Sequence, residues 1–552
     1  MTDKQKILIG GAWPYANGSL HIGHVAALIG GDILARYYRL SGNDVLYVSG
    51  SDQHGTPIAV RAEKEGVPPS KIADRYHREF VRDFTELGFS YDLYTKTTTD
   101  NHEKVVQDFF LSLHNKGLIY AKSQTLPHCP NCRRFLPDRY VEGICPVCKT
   151  PGARGDQCDE CGSLLDTTEL LNPQCKICGT TPEFRESEHF FLKLSHFEDF
   201  LKEWVPKQKG WRQNAANFTR GLLKKGLKDR PITRDTQWGI KIPIEGYDDK
   251  RIYVWFEAVI GYVSASIEWA NAQDNPDAWI PFWTNGAKNI YAHGKDNIPF
   301  HTIIWPAILK AKGGLNLPSQ IVSTEYVTLE RKQLSTSRNW AVWVPNFLEN
   351  YDPDTLRYYV INNGPETSDA DFTWQEYLER TNGDLVGVYG NFVHRILSFI
   401  FKNFGDKIPT PGDFDEEDKK ILKATKDSFK TAGQLISDGK FRAAIKEIIG
   451  LARLGNQYVD KKAPWSQIKV SQEAAATTLW VCAQVIRSLG ILTQPFIPRS
   501  SQVLLETIKV SNIEWRFEEL PAGSTFKEPK PLFQRLDKKI IEEEIAKLEK
   551  AT

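Results

Sequence analysis

Trp13-Pro14-Tyr15-Ala16-Asn17-Gly18-Ser19-Leu20-His21-Ile22-Gly23-His24 is the stretch that decides how this 552-residue chain is read. Just before it, Ile7-Leu8-Ile9 has the length and apolar character of a strand. Just after it, residues 25–40 place apolar side chains at mixed three- and four-residue spacing, the period of a helix. A strand, a Gly-containing turn and a helix start in direct succession form the place where α/β folds bind phosphate. The free N–H groups and the dipole of a helix N-terminus favour anions there. His21 and His24, three residues apart, fall on one face of that helix start. Imidazoles so placed can donate to phosphate oxygens as charge builds during nucleophilic attack.

The length exceeds what one core supports and predicts two to four domains. Lys plus Arg number 70 against 69 Asp plus Glu, a net charge of +1, so a nucleic-acid surface has to be a local patch. The densest basic run, residues 202–234, holds Lys207, Lys209, Arg212, Arg220, Lys224, Lys225, Lys228, Arg230 and Arg234, and reads equally well as a solvated face. No apolar stretch near twenty residues and no signal-peptide pattern stand out, so no membrane span is expected and a cytoplasmic location is.

Eight of the nine cysteines fall in four C-x-x-C pairs: Cys129/Cys132, Cys145/Cys148, Cys158/Cys161 and Cys175/Cys178. Two thiolates in a tight knuckle turn converge on one tetrahedral ion, and two such turns complete its coordination. Eight ligands predict two closed Zn2+ sites, structural because no coordination position stays open. Spacing alone leaves the pairing of the knuckles open. Cys482 lies in an apolar helical run and is expected in the core.

The residue 13–24 string resembles the HIGH signature of class I aminoacyl-tRNA synthetases, and its Pro14-Tyr15-Ala16-Asn17-Gly18 lead-in is similar to the methionyl branch. The resemblance extends over essentially the whole chain, with the motifs in order. It implies an α/β fold: a Rossmann-type parallel-sheet catalytic domain with an inserted zinc-knuckle module, followed by a C-terminal α-helical bundle. The implied divisions are 1–116 and 235–320 for the two catalytic halves, 117–234 for the insert, 321–388 for the KMSKS-loop and stem-contact region, and 389–552 for the anticodon-binding bundle with its tail helix. It also implies that Cys145, Cys148, Cys158 and Cys161 hold one zinc, and Cys129, Cys132, Cys175 and Cys178 the second.

Residues 43–48 read as a buried strand followed by Gly50-Ser51-Asp52-Gln53-His54-Gly55. Asp52, just past a strand's carboxyl end, is placed for a substrate ammonium, with a helix cap as the plainer reading. Two later runs, residues 252–262 and 290–305, are rich in aromatics and read as strand-like. By the resemblance, Ala12, Trp13, Tyr15, Trp255, Ala258, Val259, Tyr262, Phe300, His301 and Trp305 surround a methionine side chain, whose polarizable thioether gains from aromatic contact. Gly294, Lys295 and Asp296 then line the ATP side, with His21, Gly23, His24, Ser335, Thr336 and Ser337; Mg2+ accompanies the nucleotide. One departure stands out. Glu330-Arg331-Lys332-Gln333-Leu334-Ser335-Thr336-Ser337-Arg338 corresponds to the family's KMSKS loop, and Gln333 and Thr336 stand where its two lysines usually do. Lys332 and Arg338 flank the motif and are the expected replacements. A catalytically weakened tRNA-binding paralogue is the alternative.

From about residue 389 amphipathic helical patterning takes over, with helices expected over 419–436, 442–460 and 474–492 and a charged tail helix over 533–552. Asn391 and Arg395 fall one helical turn apart, and Trp465 follows the proline break at Pro464. Asn and Arg read base edges and Trp stacks unpaired bases. All three match the family's anticodon-reading positions, which implies tRNA(Met) with its CAU anticodon as partner beside ATP and L-methionine. No oligonucleotide-binding barrel follows the tail, and a monomer is expected.

Overall fold

The computed structural model describes residues 4–137, 140–155, 158, 160–161, 165, 167–335 and 339–550. In chain order, the elements that place the site begin with β1 (Lys6–Gly11), α1 (Ile22–Leu40), β2 (Asp44–Ser51), β3 (Leu93–Lys96) and α2 (Asp100–Asn115). The long strands β4 (Ile119–Cys129) and β5 (Glu183–Leu192) follow, then β6 (Gly210–Trp211) and α3 (Val254–Ala272). Next come β7 (Lys288–Gly294), β8 (Gln320–Thr324), β9 (Val327–Leu329), β10 (Lys332–Gln333), α4 (Pro353–Asn362) and β11 (Ala370–Phe372). The rest is helical: α5 (Asn391–Phe404), α6 (Glu416–Ser437), α7 (Phe441–Lys462), α8 (Gln472–Thr493) and α9 (Lys539–Lys550).

Six strands form one parallel sheet in the order β6-β8-β7-β1-β2-β3. β1 lies in the middle, with Ile9 opposite both Tyr47 of β2 and Ile290 of β7. Ile7, Leu8 and Ile9 are fully buried, as befits a strand covered on both faces. The chain leaves β1 toward β2 on one side and returns through β7 on the other. Strand order reverses beside β1, and ligands in such sheets bind at the carboxyl ends flanking that switch point.

Between β3 and β7 the chain makes an excursion. β4 and β5 pair antiparallel from Ile119↔Leu192 to His128↔Glu183, and Cys129 ends β4 at the tip of this arm. A small three-stranded sheet of residues 141–144, 151–154 and 171–175 leads into the knuckles that begin at Cys145 and Cys175. The C-terminal helices α6, α7 and α8 pack on one another, and α1 packs on α4 and α6, so one continuous apolar core joins the sheet's helix layer to the bundle.

Five expectations change. Residues 254–262 are the start of helix α3, and only Arg251–Ile252 is strand; α3 is buried on nearly every side, so its apolar run carries no helical period. The 290–305 run is strand only to Gly294, then turns through one 3-10 turn and a π-helical turn, Phe300–Ile304. The tail helix starts at Lys539 instead of 533. A helix long and apolar enough to cross a membrane does exist, Gln472–Thr493, and its apolar window lies wholly inside the protein, as the core of the bundle. Cys482 sits in it, fully buried. The 202–234 run is not a uniform basic face. Arg212 is bonded to the Ser323 and Gly439 carbonyls, and Lys207 pairs with Glu203.

Candidate active site and metal centres

The chain leaves β1 at Gly11, and Ala12 donates its amide to the carbonyl of Ala292. Tyr15 forms an isolated parallel bridge with Asp52 at the end of β2, and α1 begins at its N-cap, His21. His21 Nδ1 accepts the Gly23 amide at 3.1 Å, and His24 Nδ1 accepts the His21 amide at 3.1 Å. Each Nδ1 therefore holds a lone pair, and each neutral ring carries its proton on Nε2. Desolvation, with His24 adding to it, pushes His21 well below the usual histidine range; desolvation pushes His24 down to about 4. The rings, 4.0 Å apart, are two neutral N–H donors at a helix N-terminus, beside the switch point. Gly23 makes this possible, because a Cβ there would sit 3.0 Å from the His21 ring and 3.2 Å from Leu334.

Leu334 belongs to the loop after β8. β9 and β10 pair antiparallel across Glu330 and Arg331, both left-handed with φ of 47° and 63°. The Arg331 amide donates to Asp371, and Glu330 accepts the Trp374 amide, which holds this unfavourable turn. Lys332 is exposed, with Nζ 4.3 Å from the Trp340 ring centroid. Ser335 pairs with Trp340, and the His21–Trp343 bridge lays the following segment along the start of α1. Thr336, Ser337 and Arg338 lie outside the described residues.

At the end of β7, Lys295 pairs with Glu325 at 2.8 Å and Asp369 at 2.7 Å, and lies over the Tyr326 ring. Asp296 is exposed and accepts the Tyr326 hydroxyl, while Gly294 leaves only Ala27 within reach of an added Cβ, at 3.8 Å. Lys295 is thus held by two acids beside the sheet's carboxyl edge, and it reaches phosphate only by exchanging partners.

The aromatic residues gather next to it. Trp255 donates to the Tyr15 hydroxyl at 3.2 Å and packs on Phe300, centroids 4.7 Å apart. Tyr262 donates to His301 Nε2 at 2.8 Å, because His301 Nδ1 donates to the Asn297 carbonyl at 2.9 Å. Burial leaves His301 neutral, pushed down to about 4 by desolvation against the opposing bond to Asn297. Trp305, fully buried, donates to the Tyr291 hydroxyl. Trp13 lies across Gly261 of α3, where a Cβ would meet the indole at 2.8 Å. Ala258 and buried Val259 follow Trp255 in α3, and Ala12 precedes Trp13. Asp52 is buried, accepts the His54 amide at 3.3 Å, and pairs with no Lys or Arg among the described residues. It does not cap the next helix, whose N-cap is Gly55. Burial first, and then Glu257, push its carboxyl well above the usual range. A buried acid with no cation beside it is suited to a ligand's ammonium. Sequence reasoning passed over Glu257, His54 and His102, which form a network behind Trp13; the signal was an acid inside an apolar run.

The eight knuckle cysteines form two groups, Cys129, Cys132, Cys175 and Cys178, and Cys145, Cys148, Cys158 and Cys161, each with all four Sγ atoms within 4.8 Å of one another. Sulfur–sulfur separations of 3.4, 3.5 and 3.9 Å in the first group and 3.6 and 3.8 Å in the second bracket the tetrahedron edge of about 3.8 Å set by a Zn–S bond. Arg133, Lys149 and Gly179, each just after a pair's second cysteine, are left-handed, as a knuckle turn demands. Both groups could hold a metal ion.

In the bundle, Asn391 opens α5, and Arg395 one turn on lies 5.5 Å over the Trp465 ring while donating to Asp460 and Asn456. Trp465 is 39% exposed and is presented by the left-handed break at Ala463. Arg395 and Trp465 touch, and Asn391 is exposed one turn before Arg395.

Against known families, residues 7–397 match the model described as tRNA synthetases class I (M). Residues 408–551 match the anticodon binding domain of methionyl tRNA ligase. The chain belongs to the methionyl class I tRNA synthetases. Among its relatives, the methionine–tRNA ligase of Dehalococcoides mccartyi is 50% identical over 549 residues, 99% of each chain. That of Bacillus cereus is 49% identical over 546 residues, 98% of this chain and 99% of the relative. Of solved structures, the Mycobacterium tuberculosis methionyl-tRNA synthetase bound by methionyl-adenylate superposes with a TM-score of 0.80 at 24% identity, covering 96% of this chain and all of that one. At that identity the likeness is one of fold. Membership of the methionyl synthetases along the full length speaks against a tRNA-binding paralogue.

Proposed function

We propose that the chain activates L-methionine with ATP and transfers it to the terminal adenosine of tRNA(Met). The observation that carries this is the pair of Nε2–H donors, His21 and His24, at the helix start beside an aromatic pocket with a buried unpaired acid. A methionine carboxylate oxygen attacks the α-phosphorus of ATP, and the bond to pyrophosphate breaks. The methionyl group then passes from the adenylate to the 2′-hydroxyl of the terminal ribose, releasing AMP. The two histidines, Lys332 and Arg338 stabilise phosphate charge, with Mg2+ on the triphosphate. Gly23, Gly294, Lys295, Asp296, Ser335, Thr336 and Ser337 cradle ATP. Asp52 holds the ammonium, and Ala12, Trp13, Tyr15, Trp255, Ala258, Val259, Tyr262, Phe300, His301 and Trp305 enclose the side chain. Little covalent chemistry falls to the protein; positioning and charge stabilisation carry the rate.

The catalytic halves are 1–116 and 235–320, the insert 117–234, the loop region 321–388 and the anticodon bundle 389–552. Each cysteine group holds one structural Zn2+, worth about 10–16 kcal/mol in small zinc peptides. Asn391, Arg395 and Trp465 read the CAU anticodon. The protein acts as a cytoplasmic monomer.

Charging of tRNA(Met) transcripts tests this reading. A changed anticodon is expected to raise the tRNA KM strongly, and Trp465→Ala to remove about 1–3 kcal/mol of tRNA binding. Indifference to the anticodon would remove the bundle from recognition. The loop has its own prediction. Lys332→Ala lowers adenylate formation about tenfold while methionine binding stays put, because the side chain meets phosphate only as pyrophosphate leaves. Stopped-flow adenylate formation checks it, and an unchanged rate takes Lys332 out of the mechanism.

A further inference from the structure

Glu257 carries a fully buried carboxylate in the first turn of α3, among Val254, Trp255 and Phe256. No Lys or Arg among the described residues pairs with it. Its two oxygens lie 3.0 and 3.1 Å from His54 Nδ1, and one lies 3.8 Å from His102 Nε2. His102 in turn bonds Ser264 Oγ through Nδ1 at 2.8 Å and stacks on Trp13. His54 donates its backbone amide to the Asp52 carboxylate. The residue between is held as well: the Gln53 amide donates to Thr97 Oγ1 at 2.9 Å, and its carbonyl accepts Trp238 Nε1 at 2.6 Å. Glu257 is therefore tied on one side to the segment that bears Asp52 and on the other to the wall behind Trp13. The result is a region with two buried acids that no Lys or Arg pairs with among the described residues, and only His54 and His102 face Glu257. An acid this deep is costly unless a positive group completes the site.

We propose that Glu257 is a positioning residue for the amino acid's ammonium group: it clamps the Asp52 segment through His54 and adds a second buried negative charge behind it. The inference rests on the assignment of Asp52 made above. Asp52 makes the contact; Glu257 fixes where that contact is and deepens the potential the ammonium enters. His54 supplies the link, its ring bonded to Glu257 and its backbone amide to Asp52.

The experiment compares two ligands in the full-length protein. L-methionine is followed by its KM and kcat in pyrophosphate exchange. 4-(Methylthio)butanoate, with the same side chain and carboxylate but no ammonium, is followed by its inhibition constant. Glu257→Gln keeps an acceptor for His54 and removes the charge. It is expected to raise the methionine KM about tenfold, with kcat changed less than about threefold and the inhibition constant of the des-amino ligand unchanged. Glu257→Asp, which keeps the charge, is expected to lie nearer the parent. A parent-like methionine KM in Glu257→Gln, or equal weakening of both ligands, would overturn the proposal and leave Glu257 a packing residue. Asp52→Asn separates the two ideas. If it too fails to discriminate between the ligands, the Asp52 assignment falls; if it discriminates and Glu257→Gln does not, only Glu257 falls.

Discussion

Replacing His24 by alanine lowers the rate of methionyl-adenylate formation by about 10²–10³, the usual effect of removing one donor aimed at developing charge. Methionine affinity is expected to stay nearly constant, because the proposed role of His24 is to the phosphates and its ring packs on His21 at the helix start, with no ring contact to Trp255 or Tyr262. The hydrogen bonds within the helix start explain why these imidazoles are ready-made donors. His24 Nδ1 is occupied by the His21 amide and His21 Nδ1 by the Gly23 amide, so only Nε2–H is left to offer on each ring. The same bonds make both residues part of the helix cap, so alanine also costs about 1 kcal/mol of stability. His21→Asn separates the roles: asparagine is a good N-cap, yet it is too short to reach where the imidazole Nε2 does. It is expected to keep the melting temperature and still lose about 10²-fold in rate. Single-turnover adenylate formation beside methionine equilibrium binding checks both variants. A parent-like rate in either would mean that the helix dipole and the loop carry the charge without that ring.

Arg357→Ala is expected to destabilise the fold by about 3–5 kcal/mol, as breaking a buried ion pair does when one charge is left behind. Arg357 and Asp32 are both fully buried and meet at 2.6 Å. The guanidinium also donates to the carbonyls of Phe496, Leu87 and Pro495, and Asp32 accepts from Ser90 and Arg36. Burial alone would raise the Asp32 carboxyl, but Arg36 and Arg357 outweigh it and hold it down at about 2, against 3.8 unperturbed. Since the folded value lies below the unfolded one, this contribution is complete above about pH 4 and is lost as pH falls toward 2. The pair fastens α1, the helix that carries both histidines, to α4 and to the chain just after α8, so its loss also loosens the frame of the site. Denaturant unfolding of Arg357→Ala, Asp32→Ala and the double variant measures it. The double variant is expected to cost less than the two single losses combined, because neither partner of the fully buried pair is left without the other. A single-variant loss below about 1 kcal/mol would show that the network is dispensable.

Much of this was legible in the chain because local signals agreed with the global fold. The strand–turn–helix start around His21 needed only periodicity and a glycine, and the knuckles needed only spacing. The pairing of the knuckles was different. It depends on which turns the β4–β5 arm and the small sheet bring together, and no spacing encodes that. α3 was misread as strand for a physical reason: a helix buried all round has no polar stripe to reveal its period. The 300–304 turn is π-helical, a local widening that no composition announces. Lys295 was expected on the ATP side and Arg212 in a basic run, and the sequence could not show that acids and carbonyls from distant segments bond both. Glu257 was passed over in the sequence, and its meaning appears only when His54 and His102 face it in the fold.

The measurement that goes most directly to the central claim is amino-acid-dependent exchange of pyrophosphate into ATP, run with methionine, cysteine, leucine, isoleucine, valine and homocysteine on zinc-replete protein. Fast exchange is expected with methionine, weak exchange with homocysteine and none with the others, despite Gln333 and Thr336 in the loop. No exchange with any of them from folded protein would contradict that claim.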